Sequence, residues 1–95
     1  MRLIVSRAAG ADFERLHQFL VDKNPDAAGR AAAAINAAVQ SLVHLPQRGR
    51  PLGTLGMREL IVPFGRSAYV LRYAYSQGRD ELVIVRAWHS REERL

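Results

Sequence analysis

Two runs near the C-terminal end, Ser67-Ala68-Tyr69-Val70-Leu71-Arg72-Tyr73-Ala74-Tyr75 and Glu81-Leu82-Val83-Ile84-Val85-Arg86-Ala87-Trp88, are joined by Ser76-Gln77-Gly78-Arg79-Asp80. Both runs are rich in β-branched and aromatic residues and the join holds turn formers, so the stretch reads as an antiparallel hairpin. Side chains alternate along a strand, which puts Tyr69, Leu71, Tyr73 and Tyr75 on one face and Val70, Arg72 and Ala74 on the other. A turn centred near Gly78 pairs Tyr73 with Val83 and Leu71 with Val85. The expected core face is then the tyrosine row with Val83, Val85 and Ala87. Arg72 and Arg86 fall on the uncovered face, with Leu82, Ile84 and Trp88.

Met57 to Val62 is a third strand-like run, set off from the hairpin by Pro63-Phe64-Gly65-Arg66. A turn centred on Gly65 adds Arg58, Leu60 and Val62 to the face of Arg72 and Arg86, and a one-residue slip would invert that strand. Gln47 to Gly56 holds Gly49, Pro51, Gly53 and Gly56 without periodicity and reads as a loop. Before it, Asn24-Pro25-Asp26 supplies a capping side chain, a proline suited to a first helical turn and an acid for the positive end of the dipole. This helix runs to about Leu45, carries Ala28, Ala31, Ile35, Ala38, Val39 and Leu42 on one side, and stops at Pro46. From about Ala8 to Lys23, Phe13, Leu16, Phe19 and Leu20 recur at helical spacing, with Asp12, Glu14, Arg15, Gln18 and Asp22 on the other face. Arg2 to Ser6 reads as a first strand. The order β-α-α-β-β-β, without internal repeats, implies an α+β fold: a helical hairpin packed on one face of a small antiparallel sheet.

With 95 residues, 48% of them hydrophobic, the chain suits one core, so residues 1–95 are expected to form a single domain. It has no cysteine, which excludes disulfides and thiolate chemistry. No apolar stretch approaches the roughly 20 residues of a membrane span and no signal-peptide pattern opens the chain, so a cytoplasmic protein without a membrane partner is expected. The net charge of +5 is uneven: residues 48–95 carry nine of the fourteen cations, and only one of the fourteen is a lysine. Arginine favours planar, bidentate contact with carboxylate or phosphate. Arg58, Arg72 and Arg86 on a face with Trp88 repel one another unless an anion or acidic segment lies between them. An anion-facing groove is one reading; the commoner one is a set of solvated charges shielding an exposed face.

His17, His44 and His89 lie far apart without cysteines or paired carboxylates at ligand spacing, so neither a metal site nor another cofactor is expected. His17 and His44 read as helix-surface residues. Gly-x-Ser-x-Gly, Walker and dinucleotide patterns are absent. His89, near Arg86 and Arg91, is the one candidate general acid or base for a phosphodiester, and the alternative is an ordinary strand-end histidine.

Over nearly its whole length the chain resembles the ParE/RelE superfamily of type II toxins. The resemblance rests on the element order and on Asn24-Pro25-Asp26-Ala27-Ala28, Leu45-Pro46-Gln47-Arg48-Gly49-Arg50-Pro51, Arg58-Glu59-Leu60, Gly65-Arg66-Ser67-Ala68-Tyr69-Val70-Leu71-Arg72-Tyr73 and Val85-Arg86-Ala87-Trp88-His89-Ser90-Arg91. It implies one of two activities on one fold: RelE-like members cleave messenger RNA on the ribosome, and ParE-like members poison DNA gyrase. The RelE-like set, a basic cluster on the open sheet face with lysines and a C-terminal tyrosine or a carboxylate–histidine pair, is incomplete here. No lysine follows Lys23 and no tyrosine follows Tyr75. Arg58, Arg72 and Arg86 remain as phosphate clamps and His89 as proton-transfer group, with Glu59 expected on the opposite strand parity.

The Gly65-to-Val70 run and the ending from His89 to Glu92 resemble ParE-like members more closely. The implied function is a plasmid-stabilization type toxin that inhibits gyrase without chemistry of its own. The alternatives are a ribosome-dependent endonuclease and a non-toxic binding module of the same fold. The resemblance also implies a cognate antitoxin whose acidic C-terminal segment wraps the toxin. Arg58, Arg66, Arg72, Arg86, Trp88, His89 and Arg91 are the expected target- or antitoxin-binding residues.

Overall fold

The computed structural model describes residues 1–53 and 56–92; Thr54 and Leu55 of the expected loop lie outside them. The elements in chain order are β1 (Arg2–Val5), α1 (Arg7–Lys23), α2 (Pro25–His44), β2 (Arg50–Pro51), β3 (Met57–Phe64), β4 (Ser67–Ser76) and β5 (Glu81–His89). One five-stranded sheet has the order β1-β5-β4-β3-β2. Strands β2 to β5 pair antiparallel, whereas β1 lies parallel to β5, so the sheet is mixed. The two helices pack on one face, α1 against β5 and α2 against β3. No helix among the described residues is long and apolar enough to cross a membrane.

Ser6 makes the parallel arrangement possible. Its backbone N–H donates to Ile84 O (3.0 Å) and its hydroxyl to Val85 O (2.9 Å), which ends the β1–β5 ladder. The same Oγ accepts from Ala9 N (3.0 Å) and caps α1. The helix therefore starts one residue after the strand stops, directly over β5. Asn24 repeats the device between the helices: its N–H closes α1 on Leu20 O, and its side chain accepts from Ala27 N (3.1 Å) to open α2, with Pro25 in the first turn.

The core between helices and sheet contains Tyr73, Leu42, Leu71, Leu82 and Ile84, all fully buried, with Ala9, Leu16, Ala31, Val39, Leu60, Val62, Tyr69 and Ala87. Burial of each large side chain is worth about 1.5–3 kcal/mol. The tyrosine face of β4 is the core face, as its alternation requires. Its neighbours differ from the expected register at two points.

The β3–β4 loop has two residues, Gly65 and Arg66, and Phe64 pairs with Ser67. Gly65 adopts a φ of 61°, which a side chain would disfavour. The register is thereby shifted by one from a turn centred on Gly65, so β3 is inverted: Leu60 and Val62 enter the core, and Glu59 faces Arg72. In the second hairpin a bulge pairs Arg72 with Arg86 but Tyr73 with Ile84, leaving Val85 as the extra residue. Leu82 and Ile84, rather than Val83 and Val85, are therefore the core residues of β5, while Ala87 keeps its expected place.

Helix α1 also departs from its apolar pattern. Phe19 is 62% exposed, with Lys23 Nζ 4.9 Å above its ring, and Asp12, expected on the solvent face, is only 2% exposed. Within the expected loop, Arg50 and Pro51 pair with Glu59 and Arg58 as β2. The loop is pinned by Tyr73, whose hydroxyl donates to Pro46 O and accepts from Gly49 N, both at 2.8 Å.

Tyr73→Phe leaves a buried N–H and a carbonyl without their partner and should cost about 1–3 kcal/mol in urea unfolding. Gly49→Ala should cost at least as much, because a Cβ there would lie 2.6 Å from Tyr73 Oη and 2.9 Å from Glu59 O. Unchanged midpoints would show that the loop is not held through this hydroxyl.

Candidate functional site

Past Ile84, β1 no longer covers the edge of β5, and the backbone N–H of Ala87 faces α1. Asp12 answers it, its Oδ2 accepting from Ala87 N at 2.9 Å and from Arg86 Nε at 2.7 Å. Its Oδ1 accepts from Arg86 Nη2 (3.1 Å) and Arg15 Nη1 (2.6 Å). A buried carboxylate is tolerated only with such a complement of donors. Burial pushes the Asp12 pKa up, but the hydrogen bonds from Arg86, Ala87 and Arg15, with the Arg86 charge, outweigh it and bring it down to about 2. Arg86 thus turns to α1 and does not join an arginine cluster on the open face.

Arg72 does lie on that face. Its Nε and Nη2 donate to Glu59 Oε2 at 3.0 and 2.6 Å, and its guanidinium carbon sits 5.1 Å over the Trp88 ring. Arg50 Nη2 donates to Glu59 Oε1 at 3.3 Å, so one largely buried carboxylate is flanked by two guanidiniums in register across β2, β3 and β4. Trp88 is 7% exposed and pairs with Val70 in the same layer. Arg58 has the opposite parity: it pairs with Tyr73 and its Nη1 donates to Gln47 O (3.1 Å) and Gly49 O (2.7 Å). Arg58, Arg72 and Arg86, expected together, therefore occupy three different environments, and each has an internal acceptor.

Three other expected site residues converge. Arg66 is exposed in the β3–β4 turn, and the neighbouring Ser67 hydroxyl lies 2.7 Å from that of Ser90. Ser90 N also donates to Ala68 O, which holds the end of β5 beside the start of β4. This places Arg66, His89 and the exposed Arg91 at one end of the sheet. The His89 ring packs edge-on to Tyr69 at 5.3 Å, its Nδ1 accepts from Arg91 N (3.2 Å), and its backbone N–H donates to Glu92 Oε1 (2.8 Å). Arg15 closes the end through two further bonds, Nε to Glu92 Oε2 (3.1 Å) and Nη2 to Glu92 Oε1 (3.2 Å). Burial raises the Glu92 pKa, and the Arg15 and His89 contacts more than reverse it, leaving the carboxyl below its ordinary value.

His89 pairs with Tyr69, three residues along β4 from Arg72, a separation of roughly 10 Å at the usual rise per residue. The nuclease set of phosphate clamps, carboxylate and histidine is accordingly spread over the edge of β5, the open face and the end of the sheet. Among the described residues, no three His, Asp or Glu side chains are grouped to hold a metal ion.

Residues 3–94 match the family model of the ParE toxin of type II toxin–antitoxin systems, parDE. The chain belongs to the ParE toxin family. It is 41% identical over 92 residues to Toxin RelE1 of Caulobacter vibrioides, covering 97% of this chain and 96% of that protein. It is 37% identical over 86 residues to Toxin RelE3 of the same organism, covering 90% of each. Among solved structures, the chromosomal ParDE system from P. aeruginosa superposes with a TM-score of 0.74 at 25% identity, covering 94% of this chain and 95% of that one. The chain is thus a type II toxin of the ParE/RelE kind, and its family implies an antitoxin partner. Within this ParE-family fold, sequence reasoning missed Asp12, Arg15 and Glu92. The available signal was Asp12 and Arg15 at i,i+3 on a helix beginning directly after a strand, but their partners lie more than 70 positions away.

Because the Asp12 pKa is depressed, its contribution is complete above about pH 4 and is lost as pH falls toward 2. The shift corresponds to about 2 kcal/mol. Asp12→Asn should be destabilised by about 2–3 kcal/mol at pH 7, with the gap to wild type closing between pH 4 and 2 in urea titrations. A gap that stays constant across that window would remove Asp12 from this role.

Proposed function

We propose that this chain is a ParE-like toxin that inhibits DNA gyrase by binding it, is neutralised by a cognate antitoxin, and cleaves no RNA. The observation that carries the reading is the engagement of Arg58, Arg72 and Arg86 by acceptors of the same chain, away from His89. A phosphodiester transition state needs preorganised cations and a proton-transfer group around one reacting phosphate. Here two of the three candidate clamps are already neutralised by carboxylates, and the third holds a loop.

The end of the sheet supports a binding role instead. Exposed Arg66 and Arg91 flank the half-buried His89 and form a basic corner at the hairpin end, suited to docking on an acidic protein surface. Arg72, Arg86, Arg58 and Trp88 act in this reading as the scaffold that holds the corner. The names of the Caulobacter relatives keep the ribosome-dependent nuclease as the competing reading.

Induced expression in a bacterial host, followed by labelled precursors, separates the two. DNA synthesis should fall before protein synthesis and cells should filament. Arg66→Ala with Arg91→Ala should relieve growth arrest at least tenfold without lowering the thermal midpoint, whereas His89→Ala should act no more strongly than either. Immediate loss of protein synthesis, abolished by His89→Ala alone, would establish the nuclease instead.

A further inference from the structure

The segment from His89 to Glu92 closes on itself. His89 O accepts from Glu92 N (2.9 Å), His89 N donates to Glu92 Oε1 (2.8 Å), and His89 Nδ1 accepts from Arg91 N (3.2 Å). Two anchors fix this turn to the fold. Ser90 N donates to Ala68 O (2.9 Å) at the start of β4, and Glu92 accepts from Arg15 Nε and Nη2 at 3.1 and 3.2 Å on the side of α1. Arg91 stands between the two anchored residues. Its side chain, like that of Arg66, has no hydrogen bond or ion pair to another described residue. Arg15 is itself held from behind by the buried Asp12, through Nη1 at 2.6 Å. Asp12, Arg86, Arg15 and Glu92 balance their charges within one connected network, so the charges that the end of the sheet presents are those of Arg66 and Arg91.

We infer that Arg15 is a positioning residue for this corner: it occupies the Glu92 carboxylate and so keeps that acid from pairing with Arg91 or Arg66 in place of the target. The inference rests on the reading of Arg66 and Arg91 as docking residues and adds how their charge is kept available. Glu92 follows Arg91 directly and shares its turn, so a carboxylate released from Arg15 lies within side-chain reach of Arg91. Opposite charges at such short range attract most strongly where the surface is partly shielded from water. The resulting pair would cancel one of the two exposed arginine charges and weaken steering toward an acidic surface. Arginine suits position 15 because its planar fork gives two bonds to one carboxylate while the remaining nitrogen stays on Asp12. That inner bond fixes the guanidinium beforehand, the situation in which a surface ion pair outweighs the side-chain entropy it costs. Arg15 and Glu92 thus control the corner without touching the target.

The test compares the full chain with Arg15→Gln, Glu92→Gln and the double variant in a gyrase supercoiling assay, read as the half-inhibitory concentration. Arg15→Gln should raise it about tenfold by releasing the acid, and Glu92→Gln should stay within about twofold of wild type. The double variant should return to within about threefold, because the acid that Arg15 restrained is gone. Both chains with Gln at position 15 lose the same contact to Asp12, so their urea midpoints should fall alike and recovery cannot come from stability. A double variant as weak as Arg15→Gln would overturn the proposal and assign Arg15 to the target contact or to stability alone. Inhibition by Arg15→Gln equal to wild type would also overturn it. Amide hydrogen exchange gives an independent reading: His89 N–H should exchange about tenfold faster in Arg15→Gln while Tyr73 N–H does not change, and an unchanged His89 rate contradicts the inference. Should Arg15→Gln prove unfolded, Arg15→Lys with and without Glu92→Gln gives the same comparison, with about threefold loss and recovery. If the wild-type chain leaves supercoiling unaffected, the gyrase reading falls and the same chains are scored by growth arrest in a bacterial host. Arrest lost in Arg15→Gln and regained in the double variant then supports the role of Arg15, and arrest lost in both overturns it. A chain harmless in both assays overturns it as well, since no docking corner would then need its charge.

Discussion

Asp12 is the constraint from which the arrangement of the second half of the chain follows. A parallel β1 that stops at Val5 leaves the outer half of β5 without a strand on the edge away from β4, and an unpaired buried N–H there would be costly. Helix α1, capped by the same serine that ends β1, brings a carboxylate to that N–H. The carboxylate then needs cations, and Arg86 and Arg15 supply them. The link continues from Arg15 to Glu92 and from Glu92 to the backbone of His89, so the segment from His89 to Glu92 is held by a chain of charged contacts that begins in the core.

Glu59 does the equivalent work on the other face. A sheet face open to solvent beside Trp88 and Val70 would expose a wide apolar strip; Arg72, fixed by Glu59, lies over the indole and covers it. Arginine suits both places because its planar fork gives two parallel bonds to one carboxylate while its face stacks on an aromatic ring. The arginine-rich composition of the second half therefore serves architecture at Arg58, Arg72 and Arg86, and leaves Arg66 and Arg91 exposed to solvent.

The element order, the capping of α2 by Asn24 and the tyrosine core face of β4 were legible in the sequence because each is set by local chemistry or by a periodicity of two. The facing residues of β3 and β5 were not. One loop residue more or less inverts a strand, so whether Leu60 or Glu59 faces inward depends on Gly65 and Arg66 forming a two-residue loop. The bulge at Val85 makes β5 change parity midway, which is why alternation selects Val83 and Val85 where the fold buries Leu82 and Ile84. Of the candidate site residues, only their places in the fold were legible: Arg66 in a turn, His89 at the end of the last strand and Arg91 just past it. Asp12 was hidden because a charged residue in an amphipathic helix ordinarily marks the wet face, and the N–H that draws it inward belongs to a strand 75 residues later.

The most direct measurement is a supercoiling assay with purified gyrase, run with the purified chain and no ribosomes, beside a translating extract carrying a reporter transcript. The account predicts inhibited supercoiling at toxin concentrations that leave the transcript intact. Unaffected supercoiling at molar excess, with the transcript cut in the extract, would contradict it.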